Sequence, residues 1–247
     1  MRSVKSHQRC MMRTFIHDNG RLPQGVGDAL AQYRHEIFVK QLGWRLPMAD
    51  DEFERDQYDR DDTVYVVGRD EAGSICGCAR LLPTTQSYLL KDLFPFLLAE
   101  GMRAPESTDV WELSRFAASP IAGEHAEGGN LIWFFRPMLA SVVRCAVRLG
   151  ACQIIGVTYL SMERLFRRIG VYAHRAGPAQ CIDGRMVVAC WIDIDSQTLS
   201  ALGVEVMHDA ARARNVAISR RGVEPSTSID LIYAAGVNSS MHSFASC

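Results

Sequence analysis

Apolar positions along this chain recur in two periods, and the switch between them outlines the fold. In "GDALAQYRHEIFVKQLG", Leu30, Tyr33 and Ile37 fall at i, i+3 and i+7, the stripe of an amphipathic helix, with Asp28 favouring its N-terminus. Arg34 and Phe38, four apart, share the neighbouring stripe. The longest helical pattern is "NLIWFFRPMLASVVRCAVRLG", with Ile132, Phe135, Met138, Leu139, Val142, Val143 and Ala146 inward, and with Pro137 expected to kink it or delay its start. "SMERLFRRIG" reads as a third helix, N-capped by Ser161 and stopped at Gly170. Strand patterns occupy "RTFIH", "TVYVVGRD" and "GSICGCARLLP" (a hairpin turning at "DEAG"), "DVWELSRFA", "CQIIGVTYL" and "GRMVVACWIDI". "YLLKDLFPFLLAEG" is a short helical pair split at Pro95. Hairpins mixed with βαβ-like stretches predict one α/β domain, a mixed sheet between helices. Residues 1–10 read as a loose leader, 11–195 as the domain, and 196–247 as a polar extension, Ser-rich at its end.

Composition narrows the function classes. The 247 residues are 48% hydrophobic and 22% charged, an ordinary balance for a globular protein. A net charge of −1 gives no overall pull toward nucleic acid or membrane. No apolar run reaches a membrane span, and the basic start lacks the apolar stretch of a signal peptide. The eight cysteines lie mostly in apolar runs and do not form metal-clip spacings, so reduced thiols in the cytoplasm are expected. The seven histidines are scattered, so no metal site is expected. "GVG" at Gly25–Gly27 lacks the third glycine of a dinucleotide loop and reads as a helix-opening turn.

The chemistry lies in charges at core-like positions. Arg80 shares its strand face with Cys76, Cys78 and Leu82. Charges go inside only when paired. One reading is an ion pair that pins the preceding loop to the sheet; the other is a polar cavity for a charged ligand. The long acidic loop "GWRLPMADDEFERDQYDRDD" supplies Asp56 and Asp59. In "VWELSRFA", alternation puts Glu112, Ser114 and Phe116 on one face and Trp111, Leu113 and Arg115 on the other. For Glu112 and Arg115 to serve one site, this strand needs a bulge or twist.

Taken in order, Arg34, Phe38, Trp44, "DQYD" with Asp56 and Asp59, "CARL" with Arg80, and "ELSRF" with Glu112 and Arg115 resemble the acyl-homoserine-lactone synthases, the LuxI-type autoinducer synthases of quorum sensing. The resemblance spans roughly residues 11–195. It implies an αβα sandwich of the N-acyltransferase (GNAT) type, S-adenosylmethionine as a substrate rather than a cofactor, and an acyl-acyl-carrier protein as acyl donor. The products would be an N-acyl-homoserine lactone and methylthioadenosine. In that setting Glu112 serves as base, directly or through a water, and Asp56 and Asp59 hold cationic groups. Arg80 or Arg115 pairs a carboxylate. Arg34, Phe38, Trp44, Ser114 and Phe116 line the adenosylmethionine site. Thr158 stands beside the acyl chain, and Arg164, Arg167 and Arg168 offer a basic face to the carrier protein. Two other readings fit the same residues: a GNAT-like transferase using acyl-CoA and another amine, and a non-catalytic adenosylmethionine-binding domain.

Overall fold

The computed structural model describes residues 12–17, 22–46, 48–119 and 131–205, apart from the side chains of 131–133. The leader expected over 1–10 and the side chain of Ile132 lie outside these. The chain divides into a compact unit over 1–206 and a segment over 207–247 that is likewise outside them.

In chain order the elements are β1 (Arg13–His17), α1 (Val26–Arg34), β2 (Val64–Arg69), β3 (Ile75–Pro83), α2 (Leu89–Leu93), β4 (Val110–Ala118), α3 (Leu131–Arg148), β5 (Gln153–Tyr159), α4 (Leu160–Arg168), β6 (Ala173–Arg175), β7 (Gln180–Ile182), β8 (Arg185–Asp193) and α5 (Ser196–Leu202). Eight strands form one sheet in the order β1-β2-β3-β4-β5-β8-β6, with β7 also on β8. Only β4 and β5 pair in parallel. The fold is the expected α/β sandwich on a mixed sheet.

Alternation decides which side chains reach which layer. Val64, Val66, Ala79, Leu81 and Leu113 pack under α3, against Phe135, Met138, Leu139, Val142 and Val143. Each of these valine, leucine, phenylalanine and methionine side chains contributes about 1.5–3 kcal/mol through burial. The opposite face carries Tyr65, Val67 and Cys78 to α1, whose Leu30 and Tyr33 meet them. Pro137 does not delay α3: it stands on the helix's exposed side, inside the run Leu131–Arg148.

The β4–β5 pairing is short. It covers Val110↔Gln153, Trp111↔Ile154 and Glu112↔Ile155 and then stops. Beyond it β4 follows β3 while β5 follows β8 as far as Tyr159↔Val187. The two strands therefore part just past Glu112. Gly156 sits where they part: a Cβ there would lie 2.6 Å from the Leu113 carbonyl oxygen, so only glycine permits the approach.

Three element boundaries differ from the sequence reading. The chain past Arg34 continues as a π-helical turn over His35–Gln41 rather than as α-helix. Helix α4 opens at Leu160 with Tyr159 as cap residue, ahead of Ser161. The domain does not close at 195. Asp195 caps α5 by accepting the Thr198 N–H at 2.8 Å, Gly203 ends it in the left-handed region, and Leu202 and Val204 join the α3 core.

Candidate active site

The acidic loop between α1 and β2 folds on its own carboxylates before it meets any arginine. Asp59 Oδ2 accepts the Asp56 N–H at 2.9 Å, and Asp56 Oδ1 accepts the Tyr58 N–H at 2.9 Å. The Glu54 N–H donates to the Ala31 carbonyl at 3.0 Å, tying the loop to α1. Glu54, Asp56 and Asp59 thereby face inward together.

Three arginines from three elements meet them. Arg34, at the end of α1, donates Nε to Glu54 and Nη1 to Asp59 at 2.7 Å. Arg80, on β3, donates to Ser114 Oγ (3.0 Å), to both Asp56 oxygens and to Asp59 (2.9 Å). Arg115, on β4, donates Nη2 to Glu54 at 2.9 Å and to Asp56 at 2.8 Å. The Tyr65 hydroxyl adds a hydrogen bond to Asp59 at 2.7 Å. Arg80 and Glu54 are wholly buried. Three guanidiniums and three carboxylates balance, which is what makes so many buried charges tolerable. Arg80 thus pins the loop to the sheet, as the ion-pair reading expected.

Arg115 joins the cluster through a bulge in β4. Cys78 pairs with Ala117 but Arg80 with Ser114, so β4 carries one extra residue there. Arg115 takes φ 49°, the left-handed region that side chains disfavour. Ser114 already faces Arg80 by alternation, and the extra residue turns Arg115 to the same side. It sends Phe116 to the other face, where its ring meets Phe135 at 5.1 Å. The structure thus does not bring Phe116 to the cluster.

Phe38 and Trp44 wall the site. The π-helical turn ends at Gly43, in the left-handed region, and the Trp44 N–H returns to the Phe38 carbonyl at 2.9 Å. The rings stack with centroids 4.8 Å apart, and the Arg115 guanidinium stands 5.7 Å from each ring centroid.

Glu112 lies next to the cluster on β4 but has separate partners. Its oxygens accept the Leu89 and Leu90 N–H groups at 2.9 and 2.7 Å, at the start of α2. Burial pushes its carboxyl up to about 7, against the pull of those two N–H groups and the fields of Arg80 and Arg115. Burial would also raise Glu54 and Asp59. For Glu54 the charges of Arg34 and Arg115 outweigh it, and for Asp59 those of Arg34 and Arg80, so both stay below the usual carboxylate range. Their lowered values stabilise the fold above the unfolded pKa, and that contribution is lost as pH falls through the folded values. Glu112 acts oppositely: its contribution is full below its unfolded value and is lost as pH rises through about 7. The unfolding midpoint is therefore expected to drop as pH is lowered past about 4. A thermal scan with a level midpoint down to about pH 2 would contradict the cluster.

The remaining expected residues stand apart. Thr158, half-exposed near the end of β5, alternates onto the face of Ile154, across the sheet from the cluster. Arg164, Arg167 and Arg168 are exposed on α4, as expected. Arg167 is engaged, however, by the buried Glu163, which also binds Arg175 at 2.9 Å. Burial raises the Glu163 carboxyl, but these two arginines hold it below its ordinary range. Sequence reasoning missed Glu54, which its acidic neighbours disguise as loop surface. The signal was a charge count: three arginines near the core need a third carboxylate beside Asp56 and Asp59. Among the described residues no cluster of histidine, cysteine or acidic side chains is arranged to hold a metal.

Residues 22–202 match the autoinducer synthase family model. Over 193 residues the chain is 67% identical to an acyl-homoserine-lactone synthase of Ralstonia solanacearum, covering 78% of this chain and 94% of that protein. Among solved structures, TofI in a ternary complex with an inhibitor and MTA aligns with a TM-score of 0.69 at 61% identity, over 78% of this chain and 97% of TofI. BjaI, a CoA-dependent acyl-homoserine lactone synthase solved with SAM and isopentyl-CoA, aligns with a TM-score of 0.65 at 26% identity, over 84% of this chain and 99% of BjaI.

Proposed function

This chain belongs to the autoinducer synthase family and is an acyl-homoserine-lactone synthase, and on that premise we propose that it joins S-adenosylmethionine to the acyl group of an acyl-acyl-carrier protein at the Arg34–Arg80–Arg115 cluster. The observation that carries this reading is the bulge at Arg115. A strained residue is held so that its guanidinium faces two aromatic rings beside a buried carboxylate.

The chemistry follows from the groups present. The substrate amine loses its proton to Glu112, whose value of about 7 suits a base working near neutral pH. The freed amine attacks the thioester carbonyl, the C–S bond breaks, and the carrier thiol departs with a proton. The substrate carboxylate then attacks the carbon next to sulfur. The second C–S bond breaks and a neutral thioether, methylthioadenosine, leaves, so this step needs positioning more than acid. The Phe38 and Trp44 faces suit the sulfonium or adenine. Arg34 Nη2 is buried and has no acceptor among the described residues, and a substrate carboxylate would supply one. No helix among the described residues is long and apolar enough to cross a membrane.

For the acyl donor, the exposed Arg164 and Arg168 on α4 favour an acidic carrier protein. BjaI, which is CoA-dependent, keeps the other donor as the competing reading. Purified protein should show a kcat/KM more than about tenfold higher with acyl-carrier protein than with acyl-CoA of equal chain length. An equal or higher value on acyl-CoA would overturn the carrier reading. Neutralising Arg164 and Arg168 together should raise KM for the acyl-carrier substrate, as added salt should for the parent protein, while adenosylmethionine binding stays level. Carrier kinetics unchanged at low salt would return this face to ordinary solvated surface.

A further inference from the structure

Trp44 is held from two sides, and the second side lies outside the charge cluster. Its indole Nε1–H donates to the hydroxyl of Tyr159, the last residue of β5. The two rings meet edge to face at 6.3 Å. Tyr159 is itself braced: Arg185 Nη1 donates to the same hydroxyl at 3.1 Å, and the guanidinium lies 5.4 Å from the tyrosine ring centroid. Arg185 opens β8 directly after the Asp183–Gly184 turn, both of whose residues have positive φ, so its backbone is fixed by a tight hairpin. The chain of contacts is continuous: Arg115 beside Trp44, Trp44 to Tyr159, Tyr159 to Arg185.

This chain crosses the place where the sheet opens. β4 and β5 separate after Glu112↔Ile155. Arg115 lies on β4 past that point, and Tyr159 lies at the far end of β5. Trp44, from the acidic loop, therefore spans the divide, stacked on Phe38 on one side and hydrogen-bonded to β5 on the other. A loop tryptophan stacked on a single ring has freedom to tilt; a directional hydrogen bond at its far edge removes it.

We propose that Tyr159, braced by Arg185, is a positioning residue. Its hydroxyl fixes the Trp44 indole across the parted strands, so that the aromatic wall for adenosylmethionine is set from the β5 side. The inference rests on the proposed placement of that substrate against Phe38 and Trp44. Tyr159 acts only through Trp44 and touches no reacting atom.

The test uses the purified full chain. Tyr159→Phe keeps the ring and removes the oxygen that accepts the indole N–H. KM for adenosylmethionine should rise about tenfold, the size expected from one such hydrogen bond. kcat at saturating adenosylmethionine and KM for the acyl donor should each stay within about twofold, because the reacting groups are elsewhere. Arg185→Gln, which loosens the brace, should move the same constant in the same direction by less. The decisive comparison is a double-mutant cycle with Trp44→Phe, which lacks the indole N–H. If Tyr159 works through Trp44, adding Tyr159→Phe to Trp44→Phe changes adenosylmethionine KM no further. An unchanged KM in Tyr159→Phe, a loss confined to kcat or to the acyl donor, or full additivity in the cycle overturns the proposal. Failure of the substrate placement itself would read differently. Trp44→Phe and Phe38→Leu would then both leave adenosylmethionine KM unaltered, and the inference would fall with it.

Discussion

Replacing Glu112 by glutamine is expected to reduce lactone formation at least about a hundredfold, the lower range for loss of a positioned base. The structure adds a second effect. Both Glu112 oxygens accept backbone N–H groups from α2, so the glutamine amide must turn its own N–H2 toward one of them. An unmade bond of this kind costs about 1–3 kcal/mol, a fraction of the stability of an ordinary domain. The variant should fold, with α2 less firmly seated. The pH profile separates the two effects. In the parent protein kcat/KM should fall on the acidic side of about 7, where Glu112 takes up a proton and can no longer act as base. The residual rate of Glu112→Gln should show no such limb. A variant with near-full turnover, or one that keeps the acidic limb, would remove Glu112 from the chemistry and leave it as the cap of α2.

The second large effect is expected at Arg80. Its guanidinium is wholly buried and joins β3 to Asp56, Asp59 and, through Ser114, β4. Arg80→Met should destabilise the protein by about 3–5 kcal/mol, because the partners left behind are buried carboxylates. Arg80→Lys keeps the charge but cannot reproduce the planar fork that reaches Ser114 and the aspartates together. It should unfold at a denaturant concentration between those of Arg80→Met and the parent, and still be catalytically impaired, since the loop bearing Trp44 and the carboxylates loses its register. Equilibrium denaturation that places Arg80→Met within about 1 kcal/mol of the parent would show that the cluster is not a unit.

How far the sequence reveals this site depends on the range of the interaction that sets each part. Periodicity reports local burial, so α1, α3, the β2–β3 hairpin and the long β8 were all legible from it. β6 and β7, each three residues long, were not, because so short a strand leaves too few positions to alternate. α5 was legible in principle: Asp195 with Thr198 three residues on and Gly203 beyond form a start and a stop, masked by the polar composition around them. The need for a bulge at Arg115 followed from alternation alone, since Glu112 and Arg115 otherwise point apart. The bulge also sent Phe116 the other way, which strict alternation from Glu112 and Ser114 could not foresee. Glu54 and the Trp44–Tyr159–Arg185 contacts depend on three separated segments meeting. Their spacing carries no local signal, and only the fold brings them together.

Whether adenosylmethionine is turned over beside the Arg34–Arg80–Arg115 cluster is best decided by a crystal structure of the full chain with adenosylmethionine bound. The sulfonium or adenine should lie against the Phe38 and Trp44 rings, the carboxylate within hydrogen-bond distance of Arg34 or Arg115, and the amine directed toward Glu112. An open cleft of about 600 Å³ lies elsewhere, between α1 and the β2–β3 turn, lined by residues including His35, Glu36, Lys40 and Asp70. Adenosylmethionine seated in that cleft, with Phe38 and Trp44 untouched, would remove the cluster from the reaction.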